Sequence, residues 1–118
     1  MTTYTVTDTG KLLSATSDAD SIYVQSAAAA GSTILGNGGN DTIRLPEALN
    51  NASSNAVSIH GGAGDDTIYV VSANYSAGGG LSILGGGGAD TITIEGSGAL
   101  ASLKAGEDAD SVLSLIHI

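Results

Sequence analysis

Five times along the chain an aspartate stands seven residues after one aliphatic side chain and two residues before another. The sets are Leu13, Asp20 and Ile22; Ile34, Asp41 and Ile43; Ile59, Asp66 and Ile68; Ile83, Asp90 and Ile92; and Leu103, Asp110 and Val112. The anchor aspartates are 21, 25, 24 and 20 residues apart. A spacing that is fixed inside a motif but varies between motifs marks the motif as the structural unit. The variable stretches PEALNNASSNA (46–56), VSANYSAGGG (71–80) and EGSGALA (95–101) then read as loops that absorb differences in length. The units run over roughly 11–31, 32–56, 57–80, 81–100 and 101–115 of one domain spanning 1–118.

Each unit reads as strand, glycine-rich turn, strand and loop. Ile68 and Val70 alternate with Thr67 and Tyr69, as Ile22 and Val24, Ile43 and Leu45, and Ile92 and Ile94 alternate with their neighbours. Before the turn, Val57 and Ile59, and Leu81 and Ile83, do the same. A period of two is the mark of a strand with one buried face. Helical spacing is confined to LPEALNNA (45–52), enough for a turn or two. The chain has no Phe or Trp, and its 42% of apolar residues are mostly small aliphatics. That composition suits a thin core of stacked Ile, Leu and Val better than a thick one. Eighteen glycines and a single proline suit many sharp turns and few interrupted strands. The expected fold is all-β: a right-handed parallel β-solenoid, or β-roll, of about five coils. Two narrow parallel sheets face each other, and the stack is about 24 Å tall at roughly 4.7 Å per coil. Residues 1–10 form an N-terminal extension in which TYTVT (3–7) alternates like a strand.

In such a stack Asp20, Asp41, Asp66, Asp90 and Asp110 form a column with carboxylates about 5 Å apart. Like charges at that distance need counter-ions. The glycines beside them permit positive φ and let turn carbonyls face inward. Carboxylates with backbone carbonyls, and neither nitrogen nor sulfur, make a hard oxygen site. Calcium suits it, whereas magnesium demands stricter octahedral geometry. The overall balance agrees, with 12 acidic residues against 3 basic and a formal charge of −9. Nucleic acid and membrane insertion are not expected partners: the charge has the wrong sign, and no apolar run reaches spanning length. There is no Cys, so disulfides and thiolate metal sites are excluded. The start, MTTYTVTDTG, lacks the pattern of a cleavable export signal.

GGAGDDTIY (61–69) and GGGGADTIT (85–93) fit the nonapeptide G-G-x-G-x-D-x-U-x throughout, and GNGGNDTIR (36–44) fits with Asn37 at the second glycine. In these three motifs, and in a register covering about 11–115, the chain resembles the RTX, or hemolysin-type, calcium-binding repeat family. The resemblance implies a β-roll with Ca2+ held between turns of neighbouring coils. It also implies an extracellular protein of a Gram-negative-type bacterium, exported by a one-step, type I-like route and folding once outside. The candidate metal residues are the five anchor aspartates together with Gly36, Asn37, Gly38, Gly61, Ala63, Gly85 and Gly87. Two departures qualify the resemblance. There is one motif per coil, so calcium should line a single edge. The outer turns, ATSDADSIY (15–23) and AGEDADSVL (105–113), share Asp-Ala-Asp in place of glycines. Asp18 and Asp108 either add ligands to end sites or belong to capping turns. Five turns offer up to four sites, and the two central ones carry the fullest motifs. Asp65, at a variable position, reads as an exposed turn residue.

The remaining residues point to structure rather than catalysis. His60 and His117 are the only imidazoles, and no nucleophile–base spacing accompanies them. Tyr23, Arg44, Tyr69 and Thr93 make an outward column, and Ser21, Thr42, Thr67, Thr91 and Ser111 a hydroxyl ladder of a kind also found on ice-binding solenoids. Sequons at 40–42, 51–53 and 74–76 carry no weight in a bacterial chain. The ends show neither a lysine-rich edge nor a cap helix, and LSLIHI (113–118) reads as a bare aliphatic strand. One reading frame of a transposon end used in library preparation also encodes LSLIHI, which makes 113–118 an expected sequencing artefact as well as a candidate strand. Open solenoid ends invite head-to-tail stacking. The expectation is a non-enzymatic, secreted structural protein that assembles with itself into a filament, surface layer or matrix, alongside possible cell-surface components. The alternative is a calcium-dependent module of a larger adhesin, toxin or enzyme.

Overall fold

A computed structural model describes residues 2–6, 12–24, 33–45, 57–71, 81–95, 102–106, 108 and 111–115. They form eleven strands: β1 (Thr3–Val6), β2 (Leu12–Ser14), β3 (Ser21–Val24), β4 (Thr33–Gly38), β5 (Thr42–Leu45), β6 (Val57–Ala63), β7 (Thr67–Val71), β8 (Leu81–Gly87), β9 (Thr91–Glu95), β10 (Ser102–Gly106) and β11 (Ser111–Leu115). The strands alternate between two sheets, one ordered β1-β3-β5-β7-β9-β11 and the other β2-β4-β6-β8-β10. Every pairing is parallel. This is a parallel β-roll of five two-strand coils with one further strand in front.

The register follows the repeat. Leu13, Ile34, Ile59, Ile83 and Leu103 pair in turn through the five-stranded sheet. Ile22, Ile43, Ile68, Ile92 and Val112 do so through the six-stranded one. Residues in equal register stack on the same face, so a period-two sequence becomes continuous aliphatic columns. Ile22, Val24, Ile34, Ile43, Leu45, Ile59, Ile68, Val70, Ile83, Ile92 and Ile94 are buried and form one core. Tyr23, Arg44, Tyr69 and Thr93 share one register position on the outer face, and so do Ser21, Thr42, Thr67 and Thr91. His60 lies level with Leu35 and Leu84 and is half-buried, as expected of an outward residue.

The N-terminal extension has a definite place. β1 pairs with β3 in continuation of the sheet, and Tyr4 falls on the register position of Ile22. Tyr4 packs partly buried against the core, covering the end of the isoleucine column with an aromatic ring. A half-coil thus covers that end of the core. Among the described residues β2 is the outer strand of the companion sheet, and Leu12 is 64% exposed. Of the helical stretch 45–52, only Leu45 is described, and it belongs to β5. The rest of it, most of the three loops, the second and third sequon asparagines, residues 116–118 with His117, and Asp110 lie outside the described residues.

Candidate metal centre

The turns joining the two sheets run from the end of one strand to the aspartate before the next. Asp20, Asp41, Asp66 and Asp90 are each at most 2% exposed, so four members of the expected column are buried, the fifth, Asp110, lying outside the described residues. Asp41 and Asp66 are each held at three points, by carbonyl, amide and carboxylate. The Asp20, Asp41 and Asp66 carbonyls accept from the Thr42, Thr67 and Thr91 amides of the next coil, each at 2.8 Å. The backbone amides of Asp20, Asp41 and Asp66 donate to Oδ1 of Asp41, Asp66 and Asp90 at 2.8, 2.9 and 3.0 Å. Oδ1 of Asp41, Asp66 and Asp90 therefore bonds the aspartate amide of the coil before it, a contact that spacing alone does not foretell.

The second oxygen has a different fate. Oδ2 of Asp41 and of Asp66 is buried and has no hydrogen-bond partner. An orphaned carboxylate oxygen is costly in a low-dielectric setting unless a positive charge reaches it. Its surroundings are built for one. A Cβ placed on Gly36 would fall on Asp41 Oδ2 and on the Gly61 carbonyl oxygen. A Cβ on Gly61 would fall on Asp66 Oδ2 and lie 2.6 Å from the Gly85 carbonyl oxygen. A carboxylate oxygen of one coil and a carbonyl oxygen of the next thus converge on the bare face of the first glycine. No three His, Cys, Asp or Glu side chains cluster among the described residues. A cation here would be held by the Asp41 or Asp66 carboxylate together with the backbone carbonyl facing it, which is hard-oxygen chemistry.

The electrostatics agree. Burial pushes the Asp66 carboxyl up to about 6, with the neighbouring Asp41, Asp90 and Asp65 charges adding to it. Burial also raises Asp41. Asp20 moves the other way, held below the usual carboxylate range chiefly by the Thr16 hydroxyl.

The second and fourth positions of the turn explain the remaining glycines. Gly62 and Gly64 have φ of 118° and 124°, in the left-handed region. A Cβ on either would strike the Asn37 or Gly39 carbonyl of the neighbouring coil. Asn37 is the one described non-glycine residue with positive φ, at 78°. Asparagine tolerates that region, and its Nδ2 donates to Ser14 Oγ at 2.9 Å and to the Ala15 carbonyl at 2.7 Å.

The other candidates separate. Gly36, Gly61 and Gly85 are buried at the column. The Gly87 carbonyl accepts from the Gly64 amide at 2.8 Å, so it serves the coil-to-coil ladder. Gly38 lies level with Ala63, and Ala63 with Gly87, two positions along the turn from the glycines that face the orphaned oxygens. Asp18 is exposed, and its amide donates to Thr16 Oγ1 at 3.2 Å. Asp108 is exposed, and its Oδ2 accepts from the Gly88 amide at 2.9 Å. Asp65 is exposed as expected, yet it is not idle. The Asp65 amide donates to Asn40 Oδ1, and Asp65 Oδ1 accepts from the Ala89 amide, both at 2.9 Å. This outer ladder runs opposite in direction to the inner one. The sequence carried one sign of it, a polar residue at the fifth turn position in two successive motifs.

The family model for the RTX calcium-binding nonapeptide repeat, in four copies, matches residues 30–45, 52–70 and 82–93. These are RTX calcium-binding repeats. The matched spans hold the three glycine-rich turns with Asp41, Asp66 and Asp90, and the outer turns at 15–23 and 105–113 lie outside them. No curated protein and no solved structure matches the chain. RTX repeats bind Ca2+, and the orphaned oxygens of Asp41 and Asp66 with the Gly61 and Gly85 carbonyls are residues fit to hold it. The repeat itself is a structural calcium-binding element rather than a catalytic one.

Proposed function

We propose that this chain is a calcium-folded structural unit of a secreted bacterial assembly, a filament, surface layer or matrix, in which copies stack end to end through their sheet edges. The observation that supports it is the pair of strand edges the roll offers. Among the described residues β1 and β2 are the outer strands on one side, and β10 and β11 on the other. At the first side Leu12 is largely exposed beside the open edge of β2. A parallel edge is a row of unpaired amides and carbonyls, and a second copy in the same register satisfies it. Calcium controls assembly because it controls folding. Without a cation, the column of buried carboxylates opposes the coil stack, and binding to the folded form supplies stability by mass action. Half-saturation is expected on the order of 10⁻⁴–10⁻³ M, the range of extracellular calcium modules.

A second reading is favoured by the repeats themselves: the roll is the calcium-dependent module of a larger secreted adhesin, toxin or enzyme. β11 pairs in register with β9 and is the outer strand of its sheet among the described residues, where a further coil would pair. Far-ultraviolet circular dichroism and light scattering, followed together through a calcium titration with magnesium as control, separate the two. β signal and particle size rising together with calcium alone supports the assembly. β signal rising while the particle stays monomeric at high concentration rejects the assembly and leaves the module.

A further inference from the structure

The first turn departs from the others in one respect that bears on the metal. Residues 15–20, ATSDAD, place Ala15 where the next two turns have Gly36 and Gly61, and Thr16 where they have Asn37 and Gly62. In those turns position two has positive φ, and Thr16 does not. The sign decides which way the peptide between positions one and two faces. In the third turn it presents the Gly61 carbonyl oxygen to the cradle beside Asp41 Oδ2. In the first turn it is reversed. The Ala15 carbonyl turns outward and accepts from Asn37 Nδ2 at 2.7 Å, and the Thr16 amide donates inward to Asp20 Oδ2 at 2.8 Å.

The Thr16 hydroxyl adds a second donor to the same oxygen at 2.6 Å. Asp20 Oδ1 is also engaged, accepting from the Thr2 amide at 2.9 Å. Both oxygens of Asp20 are therefore bonded within the chain, whereas Asp41 and Asp66 each keep one buried oxygen with no partner. The space differs too. Ala15 carries a methyl group that packs against the core at the position where Gly36 and Gly61 leave the carboxylate a bare face.

We infer that the first turn takes no calcium: the Thr16 amide and hydroxyl cover the face of Asp20 that a cation covers in the following turns, and the turn is a metal-independent cap of the roll. Neutral donors that also lock the carboxylate do locally what the ion does elsewhere. The metal-bearing part of the column then begins at Asp41. The first coil presents a finished Asp20 amide to Asp41 Oδ1, so the calcium-dependent coils have a template on which to stack. Thr16 acts here as a positioning residue, not as a ligand.

Calcium counting by equilibrium dialysis, with circular dichroism along the same titration, tests this on the whole chain. Asp20→Asn keeps the wild-type number of ions, and Asp66→Asn binds one fewer. The double change Ala15→Gly with Thr16→Gly restores the Gly-Gly opening and binds one more ion than the wild type. Thr16→Val raises the calcium midpoint several-fold with no change in ion number, and Thr16→Ser, which keeps the hydroxyl, stays within about twofold of wild type. An ion lost in Asp20→Asn, or none lost in Asp66→Asn, overturns the inference. If the double variant does not fold, the contrast of Thr16→Val with Thr16→Ser still decides: equal midpoints refute the cap.

Discussion

Gly61→Ala puts one methyl group into the cradle and little else. Gly61 does not have positive φ, so the backbone tolerates alanine. The new Cβ would lie against Asp66 Oδ2 and 2.6 Å from the Gly85 carbonyl oxygen. An ordinary carbon–oxygen contact is nearer to about 3.4 Å, so the coils must part by the better part of an ångström or the carboxylate must turn away. Overpacking of this kind costs about 1–3 kcal/mol. That is about 5- to 150-fold in the folding equilibrium, before the loss of the ion is counted. Gly87→Ala is the matched control. A Cβ there meets nothing within 4 Å, its φ is not positive, and the chain already carries alanine in the same register at Ala63. Calcium titrations followed by circular dichroism, with ion counting, should show Gly87→Ala close to wild type and Gly61→Ala with a higher midpoint and one ion fewer. If the two variants behave alike, the cation does not sit against Gly61 and Asp66, and the assignment of the orphaned oxygens to calcium falls.

Three further outcomes follow from the same geometry. Ile68→Ala, in the fully buried column, should cost about 2–5 kcal/mol in urea unfolding of the calcium-loaded protein, since neighbouring coils cannot close around the cavity. Asn37→Gly should destabilise by about 1–2 kcal/mol through the loss of two hydrogen bonds. Asn37→Ala should cost about 1 kcal/mol more, because alanine resists the 78° φ; equal effects would mean that the turn relaxes out of that conformation. The pH response has a definite sign. Asp66 and Asp41 are raised by burial, Asp66 to about 6 from 3.8. Between those values the folded, metal-free roll binds more protons than the unfolded chain, so its stability falls as pH rises through 6. Acidifying metal-free protein from pH 7 to 5 should therefore increase its β signal, while the calcium midpoint rises because protons and calcium compete for the same oxygen. A calcium midpoint that does not move across this range would show that these carboxylates are not the ligands.

Much of this molecule was legible in its sequence because a coil repeats every 20 to 25 residues and its contacts join equivalent residues. The invariant interval from aliphatic to aspartate to aliphatic is the interval from one sheet, round the turn, to the other. It therefore determined the strands, their parallel order, the isoleucine columns and the aspartate column together. Glycine at the second and fourth turn positions was readable for the same reason, since a left-handed residue pressed against a neighbouring carbonyl leaves almost no other choice. The tertiary structure alone decided what each oxygen does. A carboxylate has two, and the sequence does not say that Oδ1 would bond the amide of the coil before and that Oδ2 of Asp41 and Asp66 would be buried without a hydrogen-bond partner. Nor does it say that the peptide before Thr16 turns its amide inward while the peptide after Gly61 turns its carbonyl inward. Those outcomes depend on which face of a peptide meets a coil more than twenty residues away. The same holds for Tyr4, whose place over Ile22 comes from an edge that only the stacked sheet creates.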